Sequence, residues 1–300
     1  MNNHLFPRAV FALLALVASE LQAGNREKTP GHEPNMNAEH VAEADKRMPV
    51  VFFDDFERSS SVPDPAWWEY VPAGTAPWQH YMSGEPDDAR IEEGRLRLRA
   101  RKENGVYRCG GIRTLGRIAF GPGHRIEVRA RIRRAQGAWA AAWLMPEPDG
   151  QIYPGWPDGG EIDIMEQLGH EEFVYQTVHS HYVHHHTPAG SSGDQRTVRL
   201  DVEQFHDYAV EMTDEALIFS VDGRETFRHV NRHLDDEAQK RQWPFRCRYY
   251  LILNLALGGW AGEIDDAELP AEMEVEHVRV TKCAGVRREN EWNNQTEKNE

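Results

Sequence analysis

The sequence predicts an all-β fold, a sandwich or barrel of short strands. Three observations predict it. Runs of four to eight residues alternate apolar and polar side chains, with Gly- and Pro-rich connections between them. Long helical periods are absent. An Asp-Gly pair, Asp222-Gly223, sits between two alternating runs, where it supplies the positive φ angles of a tight hairpin turn.

Taken in order, strands are expected to begin at "PVVFFDDFE", residues 49 to 57. "RIEEGRLRLRARK" alternates through Leu96, Leu98 and Ala100. "HRIEVRARIRR" alternates through Ile126, Val128, Ala130 and Ile132, with Arg and Glu on its other face. "EALIFSVDGRETFRHV" is the hairpin around Asp222-Gly223. "RYYLILNLALGG" and "EMEVEHVRVTK" close the series. Residues 231 to 242 are expected to give a short turn of helix. There is no internal repeat, and the whole reads as layered β-structure around one core.

The ends read differently. Arg8, the apolar stretch Ala9 to Ala18 and the small residues up to Ala23 match a signal segment, residues 1–23, too short to span a bilayer. Export to the periplasm or the exterior is expected from it. Residues 24–48 are polar with no hydrophobic period and read as a disordered linker. The ordered domain is expected at 49–283, and 284–300 as a flexible tail.

The formal charge of −15 argues against a nucleic-acid partner, whose phosphates need a basic surface. It argues equally against adsorption to anionic lipid, and no membrane insertion is expected. Cys109, Cys247 and Cys283 leave room for one disulfide, but buried free thiols are the expectation.

The chemistry concentrates in "GGEIDIMEQLGHE", residues 159 to 171. Alternation puts Glu161 and Asp163 on one strand face and Ile162 and Ile164 on the other. Glu166 would then fall on the isoleucine side. One extra residue at Met165, a β-bulge, would return it to the acidic face. Two carboxyls so placed suit retaining glycoside hydrolysis, which needs a nucleophile and an acid/base about 5–5.5 Å apart, with different pKa values. Asp163 would hydrogen-bond the nucleophile and, as a like charge, keep its neighbour protonated. The alternatives are a solvated acidic face or a calcium site. Trp139, Trp143 and Trp156 tilt the balance, because indole faces stack on sugar rings; for each alone, core burial is the simpler reading.

With these residues in view, the chain resembles glycoside hydrolase family 16, in its laminarinase-like branch. Glu161, Asp163 and Glu166 match the Glu-x-Asp-x-x-Glu signature, and "GWPDGGEIDIME", "FFDDFE", "GAWAAAWLMP", "YQTVHS" and the closing strands resemble the family's over residues 50 to 282. The resemblance implies a β-jelly-roll sandwich of two antiparallel sheets with a concave substrate cleft. It implies Glu161 as nucleophile, Glu166 as acid/base and Asp163 as helper, with His179 beside the reacting sugar. It offers Trp139, Trp143, Trp156 and Trp260 as sugar platforms, and Arg113 and Asn254 as polar contacts. No cofactor is implied for catalysis. A structural calcium is implied at the counterparts Glu57 and Glu276, although the usual residue at the second is Asp.

The implied substrate is a β-linked polysaccharide or O-glycan, cut internally by a monomer. The segment 76 to 86, the Tyr- and His-rich "EQLGHEEFVYQTVHSHYVHHH" and "GGWAGEIDDAELPAEM" resemble gut-bacterial members. Those include endo-β-galactosidases acting on the N-acetyllactosamine chains of mucin, and that reading is preferred to a laminarinase-type endo-β-1,3(1,4)-glucanase. His184-His185-His186 reads as a loop over the cleft rather than a metal set. A non-catalytic carbohydrate-binding jelly roll and a calcium-bound surface domain are the readings from other classes.

Overall fold

The computed structural model describes residues 48–186, 194–235 and 241–283. The expected signal segment, nearly all of the linker and the tail lie outside the described residues. Sixteen strands are described. The first six are β1 (Val50–Asp54), β2 (Glu69–Tyr70), β3 (Ala89–Glu92), β4 (Arg95–Glu103), β5 (Val106–Cys109) and β6 (Gly111–Arg113). β7 (His124–Arg133), β8 (Ala138–Pro146), β9 (Glu161–Leu168), β10 (Phe173–His179) and β11 (Gln195–Arg199) follow. β12 (His206–Met212), β13 (Ala216–Val221), β14 (Arg224–Val230), β15 (Tyr249–Leu257) and β16 (Ala271–Lys282) complete the set.

They form two sheets, the jelly-roll sandwich the alternation calls for. Sheet 1 runs β14-β13-β12-β7-β16-β4-β3, with β1 on β16 and β5 on β4. Sheet 2 runs β11-β10-β9-β8-β15-β6-β2. Every strand pair within them is antiparallel, for example β8 with β9 and β7 with β16. The predicted inward residues are the ones buried between the layers. Leu96, Leu98, Ile126, Val128, Ala130 and Ile132 from sheet 1 join Ile112, Leu144 and Ile162 from sheet 2 in one hydrophobic cluster. The hairpin at Asp222-Gly223 forms as expected, with φ of 50° and 74°.

Three details differ from expectation or settle it. His181–His186 is a short helix, not a loop. Residues 231 to 235 and 241 to 242 carry no helix, and the rest of that segment is outside the described residues. All three cysteines are free thiols, with Cys109 and Cys247 buried. No described helix is long and apolar enough to cross a membrane.

The outward face of sheet 1 is a lattice of ion pairs across β4, β16 and β7. Glu272 accepts from Arg97 and Arg99 at 3.0 and 2.9 Å, Glu274 from Arg131 at 2.6 Å, and Glu127 from Arg279 at 2.6 Å. The Arg and Glu residues that alternate with the core positions in the sequence thus meet directly across strands, where opposite charges stabilise pairing.

Candidate active site

β9 carries the three acids near the middle of sheet 2. Gly160 leads into it at φ 84°; a Cβ there would come within 2.8 Å of Phe245, Pro244 and the Tyr249 hydroxyl. Only glycine fits, and the same Tyr249 hydroxyl donates to the Gly159 carbonyl at 2.8 Å. The strand start is therefore pinned immediately before Glu161.

The bulge asked for by the spacing is present. On β8, Trp143 faces Asp163 but the next pair is Ala142 with Met165; on β10, Thr177 faces Asp163 and Tyr175 faces Glu166. One residue of β9 is extra, at Ile164–Met165, and both of those side chains are fully buried. The displaced Ile164 carbonyl accepts from the Gln176 side chain at 3.3 Å, and Gln176 accepts in turn from Thr226 at 2.6 Å. A buried polar pair thus satisfies the backbone group that the irregularity frees.

Glu161 sits directly opposite His179. Nε2 of His179 lies 3.5 Å from Glu161 Oε1 and 3.3 Å from Asp163 Oδ2. Asp163 is 2% exposed and its Oδ2 accepts no hydrogen bond, so His179 is the group within reach of both acids. Glu166 is also buried, and its Oε1 accepts from the indole N–H of Trp139 at 2.9 Å.

No arginine or lysine pairs with these acids among the described residues. Burial pushes the carboxyls of Glu161 and Glu166 up to about 8, and the Asp163 charge adds to it in both. Burial alone raises Asp163 well above its ordinary range. Both carboxyls are thus displaced in the same direction, toward the protonated form. Local donors act against the rise. His179 and the Trp156 indole favour ionised Glu161; the Trp139 indole, then His179, favour ionised Glu166. Three interacting carboxyls titrate as one system, and the order of proton loss belongs to the set.

The expected platforms divide into open and closed. Trp156 is 56% exposed and Trp260 is 41% exposed. Trp260 meets Trp139 at 5.8 Å and Tyr175 at 4.8 Å between ring centres, beside a cavity of ≈ 350 Å³ that Gln136, Leu168, His170 and Glu171 also line. Trp143 is buried, edge-on to Trp78 at 4.9 Å. Asn254 has no exposed surface; its Oδ1 accepts from the Trp143 indole at 2.7 Å, while its Nδ2 has no hydrogen-bond partner among the described residues. Arg113, on neighbouring β6, is paired with Glu69 at 2.6 Å.

Of the two calcium counterparts, Glu276 is already engaged by a guanidinium. Glu276 accepts from Arg129 at 2.6 Å, and a guanidinium at the carboxylate opposes a cation there. Glu57 and Glu276 belong to no cluster of three acid or histidine donors among the described residues. Glu127, Asp207 and His277 do cluster, but Arg125, Arg129 and Arg279 already neutralise those acids.

Sequence reasoning missed Tyr175 and Gln176. Alternation back from His179 through Thr177 puts Tyr175 on the acid-bearing face, a signal that was legible. Gln176 on the opposite face had none, since its partner is created by the bulge.

Residues 78–279 match the pattern of glycosyl hydrolases family 16. A β-glucanase of Rhodothermus marinus is 38% identical over 248 residues, 77% of this chain and 84% of the relative. The keratan-sulfate endo-1,4-β-galactosidase of Sphingobacterium multivorum is 34% identical over 257 residues, 82% of this chain and 58% of the relative. A solved structure from work on endo-acting O-glycanases, with which prominent human gut microbes initiate mucin breakdown, superimposes at a TM-score of 0.70. It is 38% identical and covers 78% of this chain and 99% of its own. The laminarinase from Rhodothermus marinus superimposes at 0.68, with 35% identity over 79% of this chain and 98% of its own. The bulged acidic strand and these matches lead to one conclusion: the chain belongs to glycosyl hydrolases family 16, and it is an endo-acting glycosidase.

Proposed function

We propose that the enzyme is a retaining endo-β-galactosidase acting on the N-acetyllactosamine chains of mucin O-glycans. The carrying observation is a buried strand that presents three carboxyls on one face, with no basic side chain paired to them among the described residues. Acids kept without counterions in an apolar setting hold protons near neutral pH, which a general acid requires.

In this reading ionised Glu161 attacks the anomeric carbon. The glycosidic C–O bond breaks, and its oxygen takes the proton of Glu166. Water then attacks the glycosyl-enzyme ester, Glu166 recovers a proton from it, and Glu161 leaves as carboxylate. Glu161 is the acid to ionise first, because it sits opposite His179 and is the least buried of the three. The Asp163 charge raises Glu166 and Glu161 alike, so the order of ionisation rests on His179 facing Glu161. Trp156 and Trp260 offer open faces for sugar rings on either side of the acids.

The substrate choice is supported by likeness to the gut O-glycanase structure and to the keratan-sulfate galactosidase. The charge of −15 favours unsulfated chains over sulfated ones. The His181–His186 helix lies beside the acids through His184 and His179, and Trp78 packs edge-on to Trp143. An exported monomer fits this role, and residues 1–23 are the proposed export signal. The second reading, an endo-β-1,3(1,4)-glucanase, is favoured by the equally similar β-glucanase and laminarinase.

A substrate panel decides. Laminarin, mixed-linkage glucan, mucin O-glycans and poly-N-acetyllactosamine are incubated with wild type and with Glu161→Gln, and products are read by mass spectrometry. Oligosaccharides from mucin or polylactosamine, absent with the variant, are expected. Release from the glucans alone makes the enzyme a glucanase.

A further inference from the structure

The helix His181–His186 places one histidine against the site. Nε2 of His184 lies 2.9 Å from Nδ1 of His179, whose other nitrogen faces Glu161 and Asp163. A neutral imidazole carries a single N–H, so the bond made at one nitrogen fixes what the other can do. The helix is tied down. Asp158 bonds His181 at 2.9 Å and accepts from Arg241 at 2.7 Å, and Arg232 stacks over the Tyr182 ring at 5.2 Å. Asp158 lies in the same loop as Trp156, whose ring meets His184 edge-on at 4.8 Å. His184 is thus held between a fixed loop and His179.

Resting on the reading of Glu161 as nucleophile, we propose that His184 is a positioning residue: it donates from Nε2 to Nδ1 of His179, and so keeps the other nitrogen of His179 protonated and aimed at Glu161 and Asp163. A donor at that position favours the ionised carboxylate, and Glu161 gives up its proton ahead of Glu166. His184 can donate in either protonation state. Its imidazolium form is disfavoured by burial and then by His179 and His185. The groups facing the pair are Glu161 and Asp163 from β9, with Glu166 farther along, His185 from the helix and Trp156 from the loop.

The test uses the full chain with His184→Phe, which keeps a ring against Trp156, and His184→Gln, whose amide can still donate. The first readout is the tautomer of His179 by nitrogen-15 NMR, assigned by comparison with His179→Gln. The second is the acidic limb of kcat/KM on whichever substrate the panel yields. In His184→Phe the Nε2–H form of His179 is expected to lose population, and the acidic limb to move up by about half to one pH unit. His184→Gln is expected to restore much of both. A wild-type tautomer in the Phe variant, or a raised KM with an unmoved limb, overturns the proposal. If Glu161→Gln stays active, the nucleophile reading fails by itself; the tautomer still tests the histidine pair independently.

Discussion

Glu127 in sheet 1 and Glu166 in sheet 2 are buried alike, at 4% and 7% exposure, yet they titrate at opposite ends of the carboxylate range. Burial pushes both upward. At Glu127 a hydrogen bond from His277 and the charges of Arg125 and Arg279 outweigh it, and the carboxyl is held down to about 2. At Glu166 burial is joined by the Asp163 charge, and the Trp139 indole offsets little, so the carboxyl rises to about 8. The lesson is that burial raises both carboxyls, and the cations within reach decide whether the rise survives. Sheet 1 surrounds its acids with arginine and gains rigidity. Sheet 2 withholds arginine from β9 and keeps protons available for transfer, at a cost in stability.

The largest expected effect comes from Glu161→Gln. Turnover should fall by at least about 10⁴-fold while the glycan still binds, checked by steady-state kinetics and calorimetric titration. The same variant should be more heat-stable than wild type near pH 8. The sign follows from the raised folded-state value. Below about pH 4.5 both states are protonated. Between there and about 8 the unfolded chain ionises while the folded site resists, and wild type loses stability across that window. Melting curves at pH 4 and pH 8 should diverge only at the higher pH.

Glu127→Gln tests the opposite sheet. It should leave kcat/KM within about twofold but cost about 3 kcal/mol of stability at pH 7 by stranding buried arginine charge, measured by denaturant titration. The depressed value means that wild-type stability is present above about 4.5 and lost as pH falls toward about 2, so the gap between the two proteins should close over that interval.

A smaller effect is expected from Trp139→Phe. Losing the indole donor raises Glu166 further, so the basic limb of kcat/KM should move up by about half a pH unit. The smallest concerns calcium: with Arg129 on Glu276, chelation by EDTA should leave the melting temperature unchanged, and a clear drop would place a cation elsewhere in the fold.

Much of this was legible in the sequence. Alternation located β4 and β7 with their buried residues, and Asp222-Gly223 marked its turn. The spacing of Glu161, Asp163 and Glu166 by itself implies a bulge, because face alternation is a local rule. What was not legible depends on distant partners. The His184 run reads as loop in isolation and becomes helix where Asp158 and Arg241 hold it. Asn254 reads as a polar contact, and its Oδ1 accepts from a Trp143 that is distant in sequence. The shared rise of Glu161 and Glu166 follows from burial and from what neighbouring strands omit, and a missing arginine leaves no mark within the motif itself.

The extra residue in β9 has a consequence for how such sites change over evolutionary time. A regular strand brings three acids to one face at positions i, i+2 and i+4. The bulged strand does so at i, i+2 and i+5. The same chemical surface therefore has two spellings, separated by one codon rather than by any substitution. Loss of Ile164 or Met165 would straighten the strand and leave all three carboxyls where they are needed, freeing Gln176 from its carbonyl. An insertion between Glu161 and Asp163 would turn them to opposite faces, although all three acids survived. For this architecture a one-residue insertion or deletion acts on the site as strongly as a substitution, and strand register carries information that letter identity alone conceals.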